Sequence, residues 1–163
     1  MNTQEGSSAY PEGVVDVSII VPTCFENPLK ERSINFLSEV LLQKRRVALP
    51  VTAVIGAYHI ATRYLRIPKL SVKKVMQGIL TTRSPALYPR VTPEIAEDAL
   101  DYAAAYNIES WDGYLVSLTR SLGSTIIYSL DAELSKVKEI TVVNPFPQEK
   151  VKQYHRFLEK KLR

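Results

Sequence analysis

The sequence predicts an α/β fold, a three-layer α/β/α sandwich with a parallel sheet and a basic helical tail at its C-terminal end. Two observations predict it. Short runs rich in valine and isoleucine alternate along the chain with longer segments in which apolar residues recur at helical spacing. Strands that are separated by helices pair in parallel through right-handed crossovers, which leaves helices on both faces of the sheet. The strands are predicted at residues 13–21, 47–51, 125–128 and 139–143.

Capping residues and prolines mark the predicted helices. Asn27 and Thr92 each stand directly before a proline, a pattern typical of a helix start. Thr52 and Ser71 are predicted to cap two further helices, and residues 81–91, which hold two prolines, are predicted to form a loop. The helices are predicted at residues 27–46, 52–65, 71–80, 92–107, 111–122 and 132–137, the fifth of them ending before Gly123.

The composition is that of one globular domain. The chain has 163 residues, of which 45% are hydrophobic and 23% charged, and this is enough to bury a core without disulfides. We expect a flexible leader at residues 1–12, a domain at 13–146 and a basic C-terminal helix at 147–163. No apolar run approaches the ~18 residues of a membrane span. A single cysteine, Cys24, and a start without an export signal predict a cytoplasmic location and a buried thiol rather than a nucleophile.

The positive charge is concentrated in the tail. The formal net charge is +4, and residues 144–163 hold six cations and two acids, which accounts for the whole excess. Such a tail either contacts phosphates or is a solvated helix end. Its apolar residues Tyr154, Phe157 and Leu158 have helical spacing, which favours docking of one face. The candidate RNA contacts are Lys150, Lys152, Arg156, Lys160 and Lys161.

Three aspartates occupy unusual positions. Asp16 lies inside an apolar predicted strand, where a charge is costly unless it is paired or bound to metal, and it caps no predicted helix. Asp112 follows Trp111 at the start of a predicted helix, and Asp131 follows the strand TIIY. Because strand C-termini and helix N-termini share one edge of a parallel sheet, the three carboxylates are expected to converge there. In the alternative interpretation all three are plain helix caps.

The motifs around these aspartates resemble those of the PIN-domain nucleases, the family that includes VapC-like toxins. VVDVSIIV is similar to the family's opening strand, WDGYLVSL to its third acidic motif and IIYSLD to its fourth, and ITVVNP to its last strand. The resemblance covers residues 13–145. By contrast, the chain has no dinucleotide-binding GxGxxG, P-loop, HExxH or GxSxG motif.

The resemblance implies a ribonuclease that uses Mg²⁺ or Mn²⁺. Asp16, Asp112 and Asp131 would be its metal ligands and catalytic residues, and Ser18 and Ser129 would orient them. The resemblance also implies a homodimer and a small antitoxin protein as a partner. An alternative function is a catalytically inactive module that binds RNA or protein at the same edge.

The sequence departs from the family at one position. The family usually places a glutamate early in the helix after the second strand, but Gly56 stands there, and no acid lies between residues 47 and 69. We therefore expect weak, manganese-favouring or absent activity. Glu26, Glu97 and Asp98 are the acids that could replace the glutamate in space, whereas Tyr58 and His59 are interpreted as packing or surface residues.

Overall fold

The computed structural model describes residues 11–163, so most of the predicted leader lies outside the described residues. A sheet of five strands, all parallel, has the order β3-β2-β1-β4-β5. This confirms the predicted α/β fold with a parallel sheet. The strands are β1 (Gly13–Val15), β2 (Val47–Pro50), β3 (Leu87–Tyr88), β4 (Ile126–Tyr128) and β5 (Thr141–Val143).

Seven α-helices accompany the sheet in the described part of the chain. They are α1 (Val17–Ile20), α2 (Lys30–Leu41), α3 (Val51–His59), α4 (Lys69–Thr81), α5 (Pro93–Tyr106), α6 (Ser110–Ser121) and α7 (Gln148–Lys161). Short 3₁₀ turns follow α1 and β4, at Val21–Cys24 and Ala132–Lys136, and a π-helical turn, Ile60–Tyr64, continues α3. None of the helices described is long and apolar enough to cross a membrane.

Two buried clusters of apolar side chains lie on opposite faces of the sheet. Val15 and Leu49 belong to the cluster that contains α1 to α4 and α7, whereas their neighbours Val14 and Ala48 belong to the cluster that contains α5 and α6. This alternation follows from the two-residue period of a strand, in which successive side chains point to opposite faces. The helices therefore form a layer on each side of the sheet, as predicted.

The first predicted strand is too long. β1 ends at Val15, and the apolar run that follows it forms α1 and a 3₁₀ turn. Asp16 is thus not inside a strand: it has extended backbone angles and precedes α1 as its N-cap residue. A continuous apolar run does not distinguish a buried strand from a buried helix, so the sequence could not show that the strand ends at Val15.

Other element boundaries were predicted with mixed success. Thr92 caps α5, as predicted, and its hydroxyl oxygen accepts a hydrogen bond from the backbone N–H of Ile95. By contrast, α3 and α4 begin directly after Pro50 and Pro68, so Thr52 and Ser71 are not their caps. The two-residue strand β3 lies within the predicted 81–91 loop and pairs with β2.

The tail helix α7 docks on the domain. Val151 and Tyr154 are buried, and the ring of Tyr154 lies 6.4 Å from that of Phe25 between centroids. Phe157 also approaches Phe25, at 6.3 Å, but stays 37% exposed. Of the predicted stripe, Tyr154 is buried, Leu158 is half-buried against the core and Phe157 stays exposed, whereas the buried Val151 was not part of the prediction.

Candidate functional site

The three aspartates lie where β1 and β4 end. Asp16 directly follows β1, and its backbone N–H donates to the carbonyl of Tyr128 at the end of β4. Asp131 comes three residues after β4, and Asp112 lies in the first turn of α6. The fold therefore brings three residues that are distant in sequence to one edge of the sheet, which is the usual ligand edge of parallel sheets.

Two serines hold the carboxylate of Asp16. Its Oδ2 accepts hydrogen bonds from the hydroxyls of Ser18, at 2.8 Å, and Ser129, at 2.7 Å. The serine oxygens in turn accept backbone N–H groups, Leu130 to Ser18 and Asp131 to Ser129, both at 2.9 Å. This network fixes Asp16 against the end of β4, which is the placement that the predicted orienting role of both serines requires.

The other oxygen of Asp16 is an unsatisfied acceptor. Asp16 is only 2% exposed, and its Oδ1 has no hydrogen-bond partner among the described residues. A buried charged acceptor without a partner is costly, on the order of several kcal/mol, and in native proteins it usually indicates a ligand or water. This atom is therefore the strongest indication of a bound group at the site.

Asp112 has a strongly perturbed pKa. Burial is the largest cause, and the neighbouring negative charges of Asp131, Asp16, Glu109 and Glu133 add to it, in that order. Together they raise the pKa of Asp112 from 3.8 to about 7. The five acids therefore act as one electrostatic cluster, and a cation near them would lower the free energy of the ionised form.

A cavity of about 390 Å³ opens at this cluster, and its acidic lining includes two residues that sequence reasoning missed. The missed residues are Glu109, directly before α6, and Glu133, whose N–H donates to Oδ1 of Asp131. That bond makes Asp131 a cap of the 3₁₀ turn as well as a site residue, as the cap interpretation required. We call this cavity the carboxylate cleft; it is lined by Asn107, Ile108, Glu109, Asp112, Asp131 and Glu133.

Gly56 lies beside the site, and two neighbours occupy the space where a side chain would begin. A Cβ on Gly56 would lie 3.1 Å from Cγ1 of Val17 and 3.5 Å from the Trp111 ring. Val17 and Trp111 directly adjoin Asp16 and Asp112 in sequence, so Gly56 faces both flanks of the site. The ring of Trp111 thus fills the region that a longer side chain at residue 56 would enter.

The suggested replacements for the missing glutamate do not join the cluster. Glu26 pairs with Lys30 at the surface, 2.5 Å away, and Glu97 and Asp98 are exposed on α5. His59 is exposed and forms an edge contact with Tyr64, in agreement with its interpretation as a surface residue. The acids that accompany the three aspartates are instead Glu109 and Glu133.

The donor atoms of the site suit a hard divalent cation, but they are not positioned to coordinate one together. Its donors are carboxylate oxygens, which Mg²⁺ and Mn²⁺ prefer, and one of them is buried and unsatisfied. Within residues 11–163, however, no three histidine, cysteine, aspartate or glutamate side chains are arranged to hold a metal ion. Any cation bound here would draw Asp112 and Asp131 towards Asp16.

Removal of the Ser129 hydroxyl tests the network around Asp16. We expect Ser129→Ala to lower the free energy of unfolding by about 2–3 kcal/mol, since a buried hydrogen bond to a charged group is lost. Guanidinium denaturation measures this. The control is Ser135→Ala, whose exposed hydroxyl bonds only Ala132 and whose loss should stay within about 0.5 kcal/mol. Equal effects of the two substitutions would show that the bond to Asp16 adds no stability.

No protein-family model matches the chain, and no curated protein matches it.

Proposed function

We propose that the protein slowly hydrolyses phosphodiester bonds of RNA at the carboxylate cleft, with Mg²⁺ or Mn²⁺ held by Asp16, Asp112 and Asp131. The observation that carries this proposal is the buried, unsatisfied Oδ1 of Asp16 beside a carboxyl whose pKa is raised by its acidic neighbours. The bound cation would activate a water molecule and neutralise charge that develops on the phosphate. The resemblance of the three acidic motifs to PIN-domain nucleases supports the same activity.

The residues of the chain have separate parts in this proposal. Ser18 and Ser129 fix one oxygen of Asp16, which leaves the other oxygen free to bind a cation. Asp112 has a pKa of about 7, so near neutral pH it is partly protonated. A bound cation would lower this pKa and favour the ionised carboxylate. Glu109 and Glu133 extend the negative potential to the mouth of the cleft. That potential attracts cations and repels a bare phosphate, so a phosphate of the RNA would enter the cleft itself only after the cation has bound.

The expected activity is weak because the site lacks one acid. Gly56 supplies no carboxylate, and the Trp111 ring fills the adjoining space. With fewer carboxylates, the site should favour Mn²⁺ over Mg²⁺, since Mn²⁺ binds a given ligand set more tightly than Mg²⁺ and dehydrates more readily.

Cleavage of a mixed RNA pool in Mg²⁺, Mn²⁺ or EDTA tests the proposal. We expect slow cleavage by the wild type in Mn²⁺, none in EDTA, and a loss of on the order of a hundredfold or more in Asp112→Asn, since a ligand of the catalytic ion is removed. A matched control is Asp101→Asn, which removes one exposed carboxylate from α5. Cleavage that persists in EDTA or in Asp112→Asn would refute the proposal.

Substitution at residue 56 extends the same experiment. Gly56→Glu restores the missing acid, and Gly56→Ala controls for the crowding against Val17 and Trp111. Activity gained only in Gly56→Glu would show that the fold is a nuclease inactivated at one position. If the wild type and both variants are silent, the ribonuclease proposal is wrong.

The second candidate function is a binding module without catalysis, and an apolar cavity beside the site favours it. This cavity has a volume of about 320 Å³, and Trp111 on its wall directly precedes Asp112 of the carboxylate cleft. Leu100 and Val91 on its wall are 62% and 48% exposed. A partner segment with one basic and several apolar side chains, such as a small antitoxin, would match both surfaces. Binding that EDTA leaves unchanged would favour this function, and the homodimer and the cytoplasmic location stay predictions.

A further inference from the structure

Positive and negative side chains are strongly segregated along the part of the chain that precedes the basic tail. Residues 47–93 contain seven arginines and lysines and not one aspartate or glutamate. The carboxylate cleft, in contrast, is lined by residues 107–133. Residues 144–163 hold the whole net charge of +4, so the charges of residues 1–143 sum to zero. Within that stretch, a basic segment is followed by an acidic one.

Five of the seven cations lie within twelve residues, where the π-helical turn meets α4. We call this group the basic corner; its members are Arg63, Arg66, Lys69, Lys73 and Lys74. All five side chains are exposed, and none forms an ion pair with another residue in the described part of the chain. Lys69 and Lys73 are four residues apart on α4 and so share one face. Within residues 11–163, no acid pairs with these five cations.

The backbone at the corner is not optimised for stability. Arg66 has a φ of 57°, in the left-handed region where glycine is usually preferred, and it ends the helical turn. A side chain at such a position adds about 1 kcal/mol or more of strain. The same conformation occurs at Gln43, Arg83 and Asn107, so it sets where the helical turn ends and does not depend on the charge of the side chain.

An aromatic side chain stands among these cations. Tyr64 is 61% exposed, and its ring forms an edge contact with the exposed His59, with centroids 5.7 Å apart. Exposed aromatic faces between cations are typical of surfaces that bind single-stranded nucleic acids, since bases stack on the rings while the cations contact phosphates. An acidic protein would gain less from the exposed ring. A membrane interface would also accept Tyr64, but Leu70 is the one large apolar side chain of α4 that is exposed, which leaves no apolar face to insert into lipid.

One continuous helical stretch connects the corner to a flank of the site. Gly56 flanks Asp16 and Asp112 through Val17 and Trp111, and Arg63 follows it by seven residues along α3 and the π-helical turn. At about 1.5 Å per residue, this separation is about 10 Å.

We propose that the basic corner binds the phosphate backbone of single-stranded RNA. The corner supplies the affinity for a polyanion that the acidic cleft itself repels. The direction of the strand towards the cleft rests on the proposed function. The binding itself does not, because it needs no metal and no cleavage.

Fluorescence anisotropy with a labelled single-stranded RNA of about 20 nucleotides in EDTA tests this binding. The variant carries R63Q, R66Q, K69Q, K73Q and K74Q. The matched control removes five charges from α7, with K150Q, K152Q, R156Q, K160Q and K161Q. We expect the corner variant to lose at least about tenfold in affinity and to reduce the slope of log K against log salt by up to about 3.5, at about 0.7 per phosphate contact. The α7 variant tests the RNA contacts that the sequence predicts. It should lose less, about threefold at most, because Glu149 and Glu159 stand among its cations whereas no acid lies among those of the corner.

Two results with RNA would overturn the proposal: an unchanged RNA affinity of the corner variant, or equal losses of RNA affinity in the corner and α7 variants. Binding to phosphatidylserine vesicles is measured on the same variants. If the corner variant loses affinity for the vesicles but not for RNA, the corner is a membrane surface and the proposal is wrong. Tyr64→Ala should weaken RNA binding on the order of tenfold and Tyr64→Phe should restore it, because stacking needs only the ring. Equal affinities of these two variants would exclude stacking. All substituted side chains are exposed or half-buried, and circular dichroism checks that the variants fold. Intact corner binding without any cleavage would refute only the ribonuclease proposal.

Discussion

Gly113→Ala is expected to destabilise the protein by about 3 kcal/mol or more, the upper range for overpacking of a close contact. A Cβ on Gly113 would lie 2.1 Å from the carbonyl oxygen of Ala99 and 3.2 Å from Cβ of Ala103. The first of these is a backbone atom, so relief requires α5 and α6 to move apart. Since Gly113 directly follows Asp112, that movement would also displace the carboxylate from the cleft. Guanidinium denaturation measures the loss.

Gly78→Ala is the matched control. Gly78 lies inside α4, and apart from the neighbouring backbone of that helix no atom lies within 4 Å of a Cβ built there. Alanine should therefore stabilise the protein by up to about 1 kcal/mol through helix propensity. Opposite signs for the two substitutions would show that contact with α5 decides the effect. A Gly113→Ala protein as stable as the wild type would contradict the close approach of these helices.

Asp112→Asn is expected to stabilise the metal-free protein at pH 8 but not at pH 4. The unfolded chain releases the Asp112 proton near 3.8, whereas the folded chain keeps it up to about 7, because of burial and the acids around it. The folded state therefore binds the proton more tightly, and this contribution to stability, complete below about pH 4, is lost as the pH rises to about 7. Asparagine carries no charge at any of these pH values.

The rise in the pKa of Asp112 sets an upper limit of about 4 kcal/mol on this effect. Solvent in the cleft screens part of it, so we expect a gain of about 2 kcal/mol at pH 8. Denaturation in EDTA at the two pH values measures it, and Asp101→Asn controls for the change in net charge. An equal effect of Asp112→Asn at both pH values would show that the carboxyl is not perturbed.

The elements predicted best are those whose ends are marked by local chemistry. The start of α5 at Thr92-Pro93 and its end at Asn107, with a φ of 51°, follow from a cap and from a residue that tolerates the left-handed region. The end of β1 has no such mark, because the residues on both sides of Asp16 are apolar. Only the pairing with β4 decides where the strand stops. β3 is two residues long and stands between prolines, so its pairing with β2 also depends on the tertiary fold.

The candidate site was predicted in part for the same reason. Parallel topology alone places Asp16, Asp112 and Asp131 at one edge, and the structure brings them together there. Glu109 and Glu133 could not be selected from the sequence, since each resembles an ordinary surface acid until the cleft forms. The resemblance to PIN-domain nucleases predicts an acid where Gly56 stands, but the Trp111 ring over Gly56 is a tertiary contact that no spacing predicts.

The position of Trp111 also provides a spectroscopic probe. It is the only tryptophan in the chain, its indole N–H is buried without a partner among the described residues, and it lies over Gly56 and next to Asp112. All indole emission of the protein therefore originates at the edge of the carboxylate cleft. Titration with a divalent cation or a basic peptide can thus be followed on the unlabelled protein, with the signal arising where the ligand is expected to bind.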